Sequence, residues 1–145
     1  MEHVTLPITE KTVLENLIPQ KHPFVMVDKL LDFSENYIAA GLQVQNDNIF
    51  TKDTVFQEAG LIEHMAQSVA LYTGYQYFLK NQPAPTGYIG SVKNAEILKL
   101  PKTGDELVTK VKVLQEFGGV TLVDISTTIE GKLIATSQMK TIIAQ

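Results

Sequence analysis

Within one long apolar stretch, Leu61 to Leu79, stand Glu63, His64 and Gln67. On a helix Glu63 and Gln67, at i and i+4, project from one face, with Gly60 a turn earlier. His64 points about 100° away from them. A carboxyl group among apolar neighbours is desolvated, which favours its protonated form and suits it to general acid work. The plainer alternative is a buried Glu satisfied by a hydrogen bond in the core or at a subunit contact. Burying a carboxylate without a use is costly, and this keeps the chemical alternative open.

A second polar cluster is Pro19-Gln20-Lys21-His22-Pro23. The residue before a proline is pushed out of the α region, so His22 is expected to be extended. Side chains two apart in an extended chain share a face, which would set Gln20 beside His22. An exposed connector is the competing interpretation. Other chemistry is excluded by residue type. There is no Cys, so thiol nucleophiles, disulfides and Cys-based metal sites are out. His3, His22 and His64 lack metal-ligand spacing, and no Gly-rich phosphate loop or Gly-x-Ser-x-Gly elbow occurs. No metal site and no tightly bound cofactor are expected. Met65, Tyr72, Tyr75, Tyr77 and Phe78 are most simply core or interface.

These clusters need elements to hold them. Val13, Leu14, Leu17 and Ile18 fall at helical spacing over residues 10–18, with Pro19 as the stop. Phe24 to Leu31 reads as a first strand and Tyr37 to Val44 as a second, with Ser34-Glu35-Asn36 between them. Residues 46–54 read as a loop. Thr54 with Gln57 fits a capping box, with Asp53 a competing cap, for a long helix running to about Lys80. Apolar residues cover more than one face of that helix, so it is expected to be enclosed by other elements. After the loop at 81–86 come four strand-like runs, Tyr88–Leu100, Leu107–Phe117, Thr121–Ile129 and Leu133–Ile143. Pro101 to Asp105, Gly118-Gly119 and Glu130-Gly131 separate them, turn chemistry that suits antiparallel hairpins. One long helix with five or six antiparallel strands is an α+β domain.

The 145 residues have the length of one domain, taken as residues 1–145, and 44% of them are hydrophobic. Charged residues are 19%, below the usual share of about 25%, which fits a surface partly given to a subunit contact. The net charge of −4 removes the usual electrostatic reason to expect nucleic-acid binding. All 12 basic residues are Lys, so no forked grip on phosphate or carboxylate is available. Met1 to Lys11 lacks the pattern of a signal peptide, and no stretch reads as membrane-spanning. The expected compartment is the cytosol, with no membrane partner.

Four segments, met in order, carry a family resemblance. Ile18-Pro19-Gln20-Lys21-His22-Pro23-Phe24-Val25-Met26-Val27-Asp28-Lys29 resembles the Leu-Pro-His-Arg-x-Pro-Phe-Leu-Leu-Val-Asp-Arg segment of the β-hydroxyacyl-acyl carrier protein dehydratases of type II fatty-acid synthesis. Leu61-Ile62-Glu63-His64-Met65-Ala66-Gln67 is similar to their Ile-Leu-Glu-Ala-Met-Ala-Gln. Tyr88 to Ile97 and Pro101-x-x-Gly104-Asp105 resemble their third-strand and turn signatures. The likeness runs from about Leu17 to the C-terminus and extends to relatives in aryl-polyene and flexirubin-type pigment pathways. It implies the hotdog fold, a long helix wrapped by a curved antiparallel sheet, as a dimer with acyl sites at the subunit interface.

In the family a histidine removes the C2 proton of a (3R)-hydroxyacyl thioester, and the helix carboxylate protonates the departing hydroxyl. By this resemblance Glu63 holds the carboxylate position and Gln67 the glutamine position, while Gln20 stands where the histidine would be. A neutral amide cannot take a C2 proton near pH 7. The family's His-Phe-Pro-Gly and Pro-Gly elements are also missing between Phe50 and Glu63. In the family that backbone meets the thioester carbonyl at the helix N-terminus.

Three readings follow. The chain is a dehydratase with a relocated base, His22 first and His64 second; or a thioesterase in which Glu63 activates water or attacks the thioester; or an inactive hotdog partner of a true dehydratase. The candidate catalytic residues are Glu63, His22 and Gln20, and the candidate substrate-binding residues are Gln67, Gly60, Phe24 and His64. The implied partners are acyl carrier protein, with substrate on its phosphopantetheine, and a second hotdog subunit in a homodimer or heterodimer. Carrier protein is acidic, so Lys21, Lys93, Lys99 and Lys102 are its candidate docking residues.

Overall fold

A computed structural model describes residues 5–144, so His3 lies outside the described residues. A short helix α1 (Lys11–Glu15) leads to β1 (Lys29–Ser34) and β2 (Tyr37–Gln43), a small hairpin β3 (Thr51–Lys52) and β4 (Val55–Phe56), and the long helix α2 (Glu58–Leu79). Four long strands follow: β5 (Gly87–Ile97), β6 (Glu106–Phe117), β7 (Val120–Ile129) and β8 (Lys132–Ile143). The six long strands form one sheet in the order β1-β2-β6-β7-β8-β5, with every neighbouring pair antiparallel.

Strict alternation along β6 and β7 turns Leu107, Val111, Val123 and Ile125 inward, where Phe56, Leu61, Met65 and Leu71 meet them in a closed core. The β6–β7 and β7–β8 connections are two-residue turns, and both residues of each have positive φ: Gly118 and Gly119, Glu130 and Gly131. Turns of this hand match the twist of the strands they join, which is why these residue pairs set the registers.

Several expected boundaries shift for local reasons. Asp53 and Thr54 do not cap α2. Both have positive φ, at 51° and 65°, and they form the two-residue turn between β3 and β4. The N-terminal flank of α2 is Gln57, whose side chain makes no capping bond. The first strand begins at Lys29 and not at Phe24, because the backbone around Met26 is engaged by side chains of α2 and not by a ladder. The helix expected over 10–18 is a five-residue turn of helix, closed off when the Lys21 ammonium donates to the carbonyls of Glu15 and Ile18.

Helix α2 is enclosed on most of its circumference. Its stripe Ile62, Glu63, Ala66, Ala70 and Thr73 is half-buried, and the neighbouring edge strand β5 is mostly exposed. Gly74 lets α2 lie against the chain after α1: a Cβ there would fall 1.8 Å from the Leu17 carbonyl oxygen. That contact sets where residues 16–20 sit relative to Glu63. No helix among the described residues is long and apolar enough to cross a membrane.

Candidate active site

Gln67 is fully buried and its amide is satisfied at three points. Nε2 donates to Glu63 Oε2 at 2.7 Å and to the Phe24 carbonyl at 2.8 Å, while Oε1 accepts from the Met26 backbone N–H at 2.6 Å. The other amide orientation would face an oxygen toward two acceptors and an NH2 toward a donor. The three partners therefore fix the orientation. Oε2 of Glu63 is occupied by this bond, which leaves Oε1 for chemistry. A proton carried by this carboxyl group belongs on Oε1, since Oε2 is accepting.

His64, one residue along, faces the sheet. It is fully buried, with Nδ1 2.7 Å from the Met26 carbonyl and Nε2 2.7 Å from Thr109 Oγ1. Thr109 Oγ1 is in turn 2.6 Å from Thr127 Oγ1. A carbonyl can only accept, so Nδ1 carries the proton. Nε2 then accepts from the Thr109 hydroxyl, which in turn accepts from Thr127. Burial lowers the His64 pKa to about 4, against smaller opposing effects of the Met26 carbonyl and the Asp28 charge. His64 is a neutral ring with both nitrogens engaged. It is reached neither by solvent nor by the cavity described next, and this removes the physical basis for expecting it to act as a base or touch substrate.

Glu63 and Gln20 line one cavity of about 500 Å³, with Ile18, Ala66, Ala70 and Thr73, the 83–87 loop, and Ile89, Thr141 and Ile143 from the sheet. Helix α2 supplies Glu63, the turn after α1 supplies Gln20, and the close approach at Gly74 brings the two together. The cavity is mainly apolar, and among the described residues Glu63 is the one carboxylate that lines it. Gln20 Oε1 is buried beside it without a hydrogen-bond partner among the described residues. A buried acceptor left unpaired costs about 1–3 kcal/mol unless a ligand or partner group donates to it.

The structure separates the remaining candidates. His22 lines a different cavity, of about 420 Å³, with Asp28, Asn48 and Leu14, and not the one that holds Gln20 and Glu63. The shared face expected of Gln20 and His22 is absent because the chain turns there, Phe24 N–H bonding to the Lys21 carbonyl at 2.9 Å. The alternation rule applies only to extended chain. Gly60 is a packing residue: a Cβ there would meet Phe50 Cβ at 2.5 Å and Phe56 Cε1 at 2.7 Å. Phe24 contributes its carbonyl to Gln67, and the residue is 58% exposed. Lys21 is spent on the end of α1, whereas Lys93, Lys99 and Lys102 are exposed. No cluster of three or more metal-ligating side chains occurs among the described residues.

Sequence reasoning missed Met26, Thr109 and Thr127. Both threonines occupy inward positions, Thr109 among the apolar Leu107, Val111 and Val113 of β6 and Thr127 after Val123 and Ile125 of β7, a polar interruption that could have flagged a buried partner.

One long helix wrapped by a curved six-stranded antiparallel sheet, with a helix carboxylate lining a cavity, defines a hotdog-fold protein. The family described as ApeP-like, ApeP dehydratase, matches residues 12–145. The chain belongs to this ApeP-like dehydratase family. It is also similar to the 3-hydroxyacyl-[acyl-carrier-protein] dehydratase FabZ of Vibrio cholerae, 27% identical over 142 residues that cover 94% of this chain and 90% of that protein. The FabZ of Aliivibrio fischeri is 28% identical over 145 residues, 96% of this chain and 94% of that protein. Among solved structures, the dehydratase heterocomplex ApeI:P from Xenorhabdus doucetiae superposes with a TM-score of 0.86 at 16% identity, covering 98% of this chain and 93% of that one. The uncharacterized protein PH1136 from Pyrococcus horikoshii gives a TM-score of 0.70, also at 16% identity, over 97% of this chain and 96% of that one.

Proposed function

We propose that this chain dehydrates 3-hydroxyacyl thioesters carried on acyl carrier protein to trans-2-enoyl thioesters, with Glu63 as the proton-transferring group. The observation that carries this reading is the cavity itself, in which Glu63, the one lining carboxylate among the described residues, has Oε2 held by Gln67 and Oε1 without a hydrogen bond among those residues. The Gln20 side chain, whose buried Oε1 has no partner among the described residues, turns toward the substrate to accept from the 3-hydroxyl, which directs the hydroxyl lone pairs toward Glu63. Glu63 Oε1 takes the C2 proton and delivers it to that hydroxyl. The C2–H and C3–O bonds break, the C2=C3 bond forms, and water leaves. Gln20 thus binds the leaving group and takes no proton. The exposed Lys93, Lys99 and Lys102 give the acidic carrier protein a basic surface to dock on.

A second reading has its own support. No histidine among the described residues lines the Glu63 cavity, and the half-buried stripe of α2 beside the exposed edge strand β5 leaves its side open. A second hotdog subunit seated there would close the cavity and could supply a base. The similar ApeI:P structure is a heterocomplex. One experiment separates the two. Purified protein is incubated with a 3-hydroxyacyl-carrier-protein, wild type beside Glu63→Gln, and enoyl product is followed by mass. Product lost at least about a hundredfold in the variant supports Glu63 as the acting group in this chain. No product from the chain alone, with product restored by a co-purified hotdog subunit, supports the partner reading. Free thiol without enoyl product would point to thioester hydrolysis and overturn both.

A further inference from the structure

His64 and Gln67, both on α2, clamp the same short piece of backbone from two sides. Gln67 Oε1 accepts the Met26 N–H at 2.6 Å, and His64 Nδ1 donates to the Met26 carbonyl at 2.7 Å. The residues between the first turn and β1 have no strand ladder around Met26, so these two bonds hold Met26 itself, between the Phe24 carbonyl bonded to Gln67 and the Asp28 N–H bonded to the Gly41 carbonyl. The Met26 N–H, together with the Phe24 carbonyl that accepts from Nε2, in turn sets which way the Gln67 amide faces. The amide orientation decides whether Gln67 offers Nε2 or Oε1 to Glu63. The far side of His64 is anchored in the sheet through Thr109 of β6 and Thr127 of β7, whose hydroxyls can run in one direction only once Nδ1 holds the proton.

We propose that His64 is a positioning residue for Glu63: by holding the Met26 backbone it keeps the Gln67 amide turned with its NH2 toward the carboxylate, and so keeps Glu63 Oε1 aimed into the cavity. This rests on the dehydratase reading above for its catalytic consequence, but not for the hydrogen-bond chain itself. The chain is Thr127 to Thr109 to His64 to the Met26 carbonyl, then from the Met26 N–H through Gln67 to Glu63. It links the sheet to the reacting group through atoms each within 2.6–2.7 Å of the next where a hydrogen bond is made. The resemblance sets an alanine at this position in the related dehydratases, so the imidazole is a feature of this chain's own clamp.

Two conservative replacements split the imidazole into its halves. Asn at 64 places an amide NH2 near the site of Nδ1 and keeps the donor to Met26. Gln at 64 reaches the site of Nε2 and keeps only the Thr109 end. The expected result is that His64→Asn turns over substrate within about threefold of wild type, while His64→Gln loses about tenfold or more in kcat at unchanged KM. Both variants lose a buried imidazole, so their stabilities should fall alike. Equal kcat in the two variants, or losses that follow Tm alone, would overturn the proposal.

A readout independent of turnover keeps the test decisive if the dehydratase reading fails. In 15N NMR of the wild type, His64 should be the Nδ1–H tautomer with an unprotonated Nε2, and the Gln67 side-chain amide should show two distinct, exchange-protected protons. Those protons should stay protected in His64→Asn and exchange freely in His64→Gln. The opposite tautomer in the wild type, or protection unchanged in His64→Gln, would refute the clamp. Loss of turnover in every protein with the NMR pattern intact would count against the dehydratase reading and leave the clamp standing.

Discussion

Gln67 donates to Glu63 Oε2 across 2.7 Å from one turn further along the same helix, and this i,i+4 bond gives the two oxygens of one carboxyl group different roles. One oxygen is anchored, and the other makes no hydrogen bond among the described residues. The pair is as much structural as chemical, because the same Gln67 amide closes the Phe24 carbonyl and the Met26 N–H.

Gln67→Ala removes all three bonds at once. It leaves the buried Met26 N–H and the part-buried Phe24 carbonyl unpaired, at about 1–3 kcal/mol each with the carbonyl at the low end, so a loss of about 2–4 kcal/mol is expected in urea denaturation. Turnover should fall as well, because Glu63 loses the group that orients it. A variant that keeps wild-type stability would show that water replaces the amide and that the clamp is not rigid.

The stability of the fold should depend on acid through His64. Its pKa is about 4 in the folded protein, where burial disfavours the charged ring, and 6.5 in the unfolded chain. Between those values the unfolded chain binds the proton and the folded one does not, so stability is full above about pH 6.5 and falls as the pH drops toward 4. The loss over that window is on the order of 3 kcal/mol. Asp28 and Lys29 are the charges that act on the ring, in opposite senses. Urea midpoints measured from pH 7.5 to 4.5 should fall for wild type and much less for His64→Asn. Parallel pH dependence in the two proteins would assign the effect to other groups.

The parts of this site that were legible in the sequence are those governed by a fixed period. Glu63 and Gln67 lie four apart on a helix long enough to be unmistakable, so their contact follows from helical geometry alone. The hairpins followed from Gly118-Gly119 and Glu130-Gly131, whose positive φ the turn type requires. Gln20 was legible as a site residue only through the family resemblance, and its meeting with Glu63 depends on how residues 16–20 pack against Gly74, a tertiary contact with no local signature. His64 was misjudged because its helical angle shows only that it leaves the Glu63 face. What it meets is set by Met26 and Thr109, which lie 38 and 45 residues away in sequence.

Gly74 is the hinge of that packing. A methyl group there would stand 1.8 Å from the Leu17 carbonyl oxygen, which is backbone and cannot swing aside. Gly74→Ala should therefore cost about 3 kcal/mol or more, beyond the small gain that alanine brings to a helix. The displaced segment includes Ile18 and Gln20, so the Glu63 cavity should widen and KM should rise. Gly60→Ala offers the contrast, since its clash is with the side chains of Phe50 and Phe56 and lies outside the cavity. Equal KM effects from the two substitutions would show that the α1–α2 approach does not shape the site.

His22 and Gln20 are neighbours in the chain and line different cavities, and the two positions should answer differently to mutation. His22→Ala removes an exposed ring from a cavity that Glu63 does not line, so kcat should stay within about twofold. Gln20→His puts an imidazole where the resemblance sets the family's base. If Glu63 alone moves the proton, the wild-type dependence of kcat/KM on pH has a single ionisation and a plateau, whereas the Gln20→His protein acquires a second limb in the range where imidazole titrates. A tenfold or larger loss in His22→Ala, with a bell-shaped wild-type profile, would reverse this assignment and bring His22 to the reaction from across a subunit interface.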